Sequence, residues 1–168
     1  MPTARELCLL RPVFLDTETT GLGSNDQIVE IAVLDFDDHV LLDTLVRPYV
    51  PISPQAMAIH GITAADAGGG MAFREVWRKL TPILAKYPVV IYNASFDLRL
   101  LQQTASASGV RYQAPRAVHC AMGLYAALHG KASLEKAARN QGVTLPPALH
   151  RAAADAELTR RLVRHLGR

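Results

Sequence analysis

Long apolar runs are missing from this chain of 168 residues. None reaches the roughly eighteen consecutive hydrophobic residues of a membrane-spanning helix, so no segment is expected to cross a bilayer. The opening stretch, MPTARELCLLRP, carries a proline and a glutamate where a signal peptide needs unbroken apolar sequence. Cysteine is scarce. The two present, Cys8 and Cys120, form no CxxC pattern and read as buried thiols of a protein kept in a reducing cytoplasm. Repeats and low-complexity tracts are lacking too, which leaves one domain over residues 1–168. With 49% hydrophobic residues it can bury a proper core.

What the chain does have is unevenly placed charge. The formal net charge is only +3, yet residues 1–98 hold 7 Lys/Arg against 12 Asp/Glu, whereas residues 99–168 hold 11 against 3. A basic second half suits an anionic polymer, because backbone phosphates supply most of the attraction. Composition alone is equally consistent with a solvated basic surface that has no partner.

VFLDTET has the apolar approach and alternation of a strand. IVEIAVLDF and VLLDTLVRP read as two more, joined across Asp37-Asp38-His39 as an antiparallel hairpin, and Pro48 and Pro51 close the third. The glycines at 68–70 mark the most flexible point. Phe73, Val76, Trp77, Leu80 and Leu84 recur at helical spacing within residues 72–86, with Pro82 expected to kink the helix. PVVIYN is a short buried strand, and SFDLRLLQQTASAS is a helix stopped by Gly109. Further helices are expected over about 119–129 and from Ser133 as N-cap to Asn140, with Gly142 after it. A last one follows the loop TLPPALH and runs to Leu166. A three-strand meander followed by alternating strand and helix describes an α/β fold of the ribonuclease H-like kind. Its sheet would be mixed and five-stranded, an antiparallel meander plus two parallel strands, flanked by helices.

Four carboxylates and one histidine stand out against this framework: Asp16 and Glu18 in FLDTETTGL, Asp97 in YNASFD, and His150 with Asp155 in HRAAAD. Residues two apart on a strand leave the same face, so Asp16 and Glu18 emerge together with α-carbons roughly 6.5–7 Å apart. Val13, Leu15 and Thr17 then face the other layer. Carboxylates at that separation can converge on a metal pair held about 3.5–4 Å apart. Asp97 falls in the first turn of a helix, where an isolated acid often merely complements the helix dipole. Five residues turn an ideal helix by about 140°, so His150 and Asp155 converge only if His150 stays in the loop after Pro146-Pro147. Asp155 would then lie on the helix face continued by Leu158, Thr159 and Leu162. Acids brought together repel unless cations sit among them, so the set points to a divalent metal site acting on a phosphate ester.

Together and in this order, the three motifs resemble those of the DEDDh (DnaQ-like) group of 3′→5′ exonucleases. The resemblance runs from about Val13 to Leu162 and includes RPYVPISPQAMAIHGIT. In NASFDLRLL and LPPALHRAAAD it is similar to the exonuclease X-like branch. It implies a phosphodiester hydrolase that shortens DNA from its 3′ end to 5′-mononucleotides, in DNA repair or end trimming. It also implies that Asp16, Glu18 and Asp155 hold one metal, that Asp16 bridges to a second, and that Asp97 reaches the pair directly or through water. Two Mg²⁺ fit this oxygen-rich donor set, with Mn²⁺ able to substitute and zinc disfavoured. His150 would take a proton from the attacking water, a task suited to an imidazole because its reference pKa is about 6.5.

The same resemblance places Thr19, Thr20 and Gly21 at the terminal nucleotide, with Leu22 as an apolar wedge. Ile59, His60 and Phe96 would touch the terminal base or sugar with little base preference. Asn93 would cap its helix or hold a carboxylate in place. Arg99 and Arg151 flank the motifs and are candidates for holding phosphates. The implied partner is nucleic acid, single-stranded DNA or DNA 3′ ends; no membrane and no particular protein partner is implied. One departure stands out: the family usually places a histidine before the asparagine of the second motif, and this chain has Tyr92.

Three other readings share these residues. An RNA 3′-end trimmer would differ by one or two hydrogen bonds to a 2′-hydroxyl. A polymerase proofreading subunit would be expected to carry a tethering tail, and the sequence stops at Arg168. A catalytically silent nucleic-acid-binding module would be expected to have lost at least one of the five residues, and all five stand.

Overall fold

The computed structural model describes residues 2–168. Helix α1 (Ala4–Leu9) opens with reciprocal Thr3–Glu6 bonds, each side chain accepting the other's backbone N–H. Strand β1 (Val13–Thr19) follows and decides the layering, because its alternate residues enter different cores. Val13 and Leu15 join one apolar layer, and Phe14 joins the other. Strand β2 (Ile28–Leu34) pairs with β1 antiparallel, setting Ala32 opposite Asp16 and Glu30 opposite Glu18. Strand β3 (Val40–Arg47) completes the meander. Its tight turn is held by the Asp35 carboxylate, which accepts the N–H groups of Asp37 and His39, while Asp38 takes the left-handed conformation at φ 80°.

Two short helices fill the segment after the meander. Helix α2 (Pro54–His60) starts at the Ser53 cap and ends at Gly61 in the left-handed region; α3 (Ala64–Gly68) starts at a Thr63–Asp66 capping box. Neither helix, nor α1, is announced by apolar periodicity. Of the glycines at 68–70, where flexibility was expected, Gly70 is a close approach. A Cβ at Gly70 would lie 2.9 Å from the backbone of Leu45, because strand β4 (Met71–Ala72) pairs parallel with β3 at that point. This two-residue strand raises the expected five to six, in the order β4-β3-β2-β1-β5-β6.

Helix α4 (Phe73–Lys86) runs unbroken through Pro82. Strand β5 (Val89–Ile91) lies parallel to β1, and α5 (Ala94–Ala107) ends before Gly109 at φ 62°. Strand β6 (Val118–Cys120) is parallel to β5 and takes two residues expected to be helical. Helix α6 (Ala121–His129) therefore starts two residues late. Helix α7 (Leu134–Asn140) has the Ser133 cap, and α8 (Ala152–Leu166) closes the fold. Phe73, Val76, Trp77, Leu80 and Leu84 of α4 pack with Leu100 and Leu101 of α5 on one face of the sheet. Leu7, Leu124, Tyr125, Leu162 and Val163 pack on the other.

Cys8 and Cys120 are unpaired and only half-buried, not fully buried as expected. Tyr92 is buried, and its hydroxyl donates to the Ala132 carbonyl at 2.8 Å, so the residue standing where a histidine is usual braces the α6–α7 connection. Among the described residues, no helix is long and apolar enough to cross a membrane.

The close approach at Gly70 is testable by urea unfolding. Gly70→Ala should cost about 1–3 kcal/mol through overpacking, whereas Gly68→Ala, with nothing within 4 Å of the added carbon, should leave the midpoint nearly unchanged. Equal midpoints for the two variants would show that β4 gives way freely.

Candidate active site

The second half of β1 places Asp16 and Glu18 on the α8 side of the sheet, the side to which Phe14 also points. Helix α8 brings Asp155 against them from its first turn. One carboxylate oxygen from each of Asp16, Glu18 and Asp155 lies within 4.8 Å of the others. Asp97, buried in the first turn of α5, stands beside this group and not within it. Thr17, on the opposite face of β1, donates its hydroxyl to Asp97 Oδ1 at 2.7 Å and so ties the fourth acid to the strand that carries the first two.

Electrostatics show what this arrangement costs without cations. Burial first, then the charges of Asp97, Asp155 and Glu18, hold the Asp16 carboxyl well above the usual carboxylate range. Glu18 is pushed up to about 8 by burial and then by Asp155, Glu30 and Asp97. Asp97 is pushed up to about 7 by burial, against the Thr17 hydrogen bond that lowers it. Asp155 is raised by burial too, while the His150 backbone N–H and ring pull it down. Four acids that resist ionisation, offering oxygen donors only, fit hard divalent cations. Asp16, Glu18 and Asp155 are placed to hold one, with Asp97 beside it.

His150 lies outside α8, half-exposed, at φ 60°. Its backbone N–H faces Asp155 Oδ1 at 3.4 Å, and its ring Nδ1 is 4.0 Å from Asp155 Oδ2. The two therefore share one location, in a recess also lined by Leu149 and Leu158. On the Glu18 side a cleft of about 410 Å³ opens between the end of β1, helix α2 and Phe96. Thr19, Gly21, Leu22, Ile59, His60 and Phe96 all line it. Leu22 and Ile59 expose 79% and 59% of their surface there, which makes them apolar rims and not core. The carboxylates thus separate an apolar-walled cleft from the histidine recess.

Some of the expected contacts hold the site and do not face it. Thr20 is fully buried; its hydroxyl donates to Asp26 Oδ1 at 2.6 Å and accepts the Gln27 N–H, and it is not part of the cleft wall. Asn93 occupies the N-cap position of α5 but makes no side-chain cap bond. His60 lines the cleft with its ring fixed. Nδ1 accepts the Ile62 N–H at 3.0 Å, so Nε2 carries the proton and donates to the Thr19 carbonyl at 3.1 Å. Burial lowers its pKa, which keeps that neutral form in place. Arg99 donates to the Leu22 and Gly23 carbonyls, helped by Gln103, and so props the loop after β1.

Sequence reasoning missed two acids. Asp26 closes the loop by accepting from Thr20 and the Gly23 N–H, and a Cβ at Gly21 would lie 2.8 Å from it. Glu30, buried opposite Glu18, accepts from the Arg151 side chain and from the Ala152 N–H at 2.9 Å. Arg151 is therefore engaged with a carboxylate. The two-residue alternation in IVEIAV set this glutamate on the Asp16 face and was the signal available for it.

A protein-family model described as exonuclease (RNase_T) matches residues 13–163. Uncharacterized exonuclease CP81 of Escherichia phage 186 is 37% identical over 161 residues, covering 88% of this chain and 83% of the phage protein. Exodeoxyribonuclease 10 of Escherichia coli K12 is 43% identical over 96 residues, covering 53% of this chain but only 40% of that protein. Among solved structures, exonuclease X in complex with 5′ overhanging duplex DNA superposes with a TM-score of 0.71 at 33% identity, covering 91% of this chain and 89% of that one. The nuclease domain of 3′hExo, a DEDDh family member bound to rAMP, gives a TM-score of 0.73 at 17% identity, covering 90% of this chain and 89% of that one, which is a likeness of fold. The ribonuclease H-like architecture expected from the element order is the one these neighbours share.

The raised carboxylates set a pH dependence. Glu18, whose folded pKa of about 8 lies above its unfolded value of about 4.5, binds more protons when folded, so its share of stability is lost as pH rises between the two. In chelator, Glu18→Gln should therefore melt progressively higher than wild type as pH is raised over that range, and added Mg²⁺ should raise the wild-type Tm most at pH 8. Parallel melting curves for the two proteins would show that the acids do not repel.

Proposed function

The chain belongs to the exonuclease family, with the motifs of its DEDDh (DnaQ-like) group, and from that premise we propose that it hydrolyses DNA from the 3′ end to 5′-mononucleotides. The observation that carries this reading is the placement of the carboxylates between an apolar-walled cleft and His150. The cleft is of a size and character to take one terminal nucleotide, with Leu22 and Ile59 against its base and Phe96 behind the sugar. Such contacts accept any base, because every base has a π-face. The scissile phosphate then falls at Asp16, Glu18 and Asp155. His150, on the far side of these acids, takes the proton of the attacking water, and its backbone N–H to Asp155 Oδ1 ties the histidine to the acid cluster.

Two Mg²⁺, with Mn²⁺ as substitute, would supply water activation and stabilisation of the departing 3′ oxygen when bound by these acids. Thr17 keeps Asp97 turned toward its partners. The likeness to Exodeoxyribonuclease 10 and to a DNA-bound exonuclease X favours DNA over RNA and a cytoplasmic role in repair or end trimming.

The test uses 5′-labelled single-stranded DNA and RNA of one sequence, with Mg²⁺ and with chelator. A DNA ladder shortening from the 3′ end, abolished by chelator and weaker on RNA, is expected. Faster loss of RNA would reassign the substrate, and a product set starting at the 5′ end would overturn the polarity. Asp16→Asn should abolish cleavage. His150→Ala should slow it by about 10²–10⁴-fold while leaving DNA binding nearly intact; collapse of binding instead would make His150 a substrate contact and leave the base unassigned.

A further inference from the structure

Glu30 is an acid of the site's own face that is not grouped with the metal-binding oxygens. It is 3% exposed, lies opposite Glu18 in the β1–β2 register, and has its oxygens bonded to the start of α8. Arg151 Nε donates to both of its oxygens at 3.1 Å, Arg151 Nη2 adds a further bond, and Ala152 N–H donates at 2.9 Å. Ala152 is the first residue of α8, and the N-cap residue Arg151 offers no side-chain cap bond of its own. A carboxylate on a strand therefore caps the helix from outside and meets its positive end. The residue before this junction is His150, held at φ 60°, and the Arg151 carbonyl accepts the Asp155 N–H at 3.0 Å. Both the histidine and the last metal-binding acid thus hang on one fork-shaped contact to the sheet.

We infer that the Glu30–Arg151 pair is a positioning clamp, which fixes the start of α8 so that His150 meets the phosphate held by the carboxylates. The inference rests on the nuclease reading above. A planar guanidinium bonded through two nitrogens fixes orientation as well as distance, which a lysine cannot do. Arg151 could instead be a phosphate contact, since its side chain is 47% exposed, but both of its bonding nitrogens are turned to Glu30.

Misplacement of a catalytic group by about 1 Å can cost on the order of 10²-fold in rate. Arg151→Ala and Glu30→Gln should each lower kcat about 10- to 100-fold with KM within about twofold. The double variant should be no slower than the worse single one, because both break the same contact. Glu30→Gln keeps an acceptor for Ala152 N–H and guards against a variant that merely unfolds. A raised KM at unchanged kcat would overturn the proposal in favour of a phosphate contact. Lowered Tm with kcat and KM intact would overturn it in favour of a purely structural pair. Amide exchange at Ala152 and the number of His150 ring resonances in NMR need no substrate. If wild type cleaves neither DNA nor RNA, the nuclease reading fails, and the clamp stands only if Arg151→Ala speeds that exchange and multiplies those resonances.

Discussion

Repulsion among buried carboxylates is the constraint to which the rest of the molecule answers. Asp16, Glu18, Asp97 and Asp155 gain nothing by meeting, and burial penalises the charge on each of them. They are held together by packing that is apolar and remote. Phe14 and Leu15 anchor β1 into both layers, Leu100 and Leu101 fix α5, and Leu158 and Leu162 fix α8. Two helix N-termini point their partial positive charge at the acids, which offsets part of the cost. The folded protein therefore concentrates electrostatic repulsion at one place, an arrangement suited to divalent cations.

A second tier of polar contacts keeps the site's loops in register. Asp26, Arg99 and Gln103 set the path of the chain after β1. His60 reaches across from α2 to the Thr19 carbonyl, and the Ser53 N–H donates to the Thr20 carbonyl. The cleft wall is thus bonded to the strand that carries the acids, which ties the two to each other.

The gathering of the acids was more legible in the sequence than the architecture around them. Alternation in VFLDTET and helical spacing from Phe73 to Leu84 are strong periodic signals, and the elements they foretell are present. The carboxylate–histidine set was readable because each member sits in a short motif at a strand or helix end. Helices α1, α2 and α3 were not, because they are too short for periodicity to show. Their cap residues, Thr3 with Glu6, Ser53 before Pro54, and Thr63 with Asp66, were the available sign. Strand β4 depends wholly on its partner, since Gly-Gly-Met-Ala has no strand preference without the edge of β3 beside it. Thr20 and Arg151 show the limit for side chains. A motif says which residues gather, but whether one faces ligand or neighbour is decided by partners such as Asp26 and Glu30, distant in sequence or ambiguous in pattern.

The acids come from β1, α5 and α8, spread from residue 16 to residue 155 of the chain. Helix α8 also packs on β1 and β2, covering the face of the sheet that carries Asp16 and Glu18. Asp155 and His150 arrive only with that final helix. The last stretch of chain to be made thus completes one apolar layer and the acid cluster together, so neither is finished without the other.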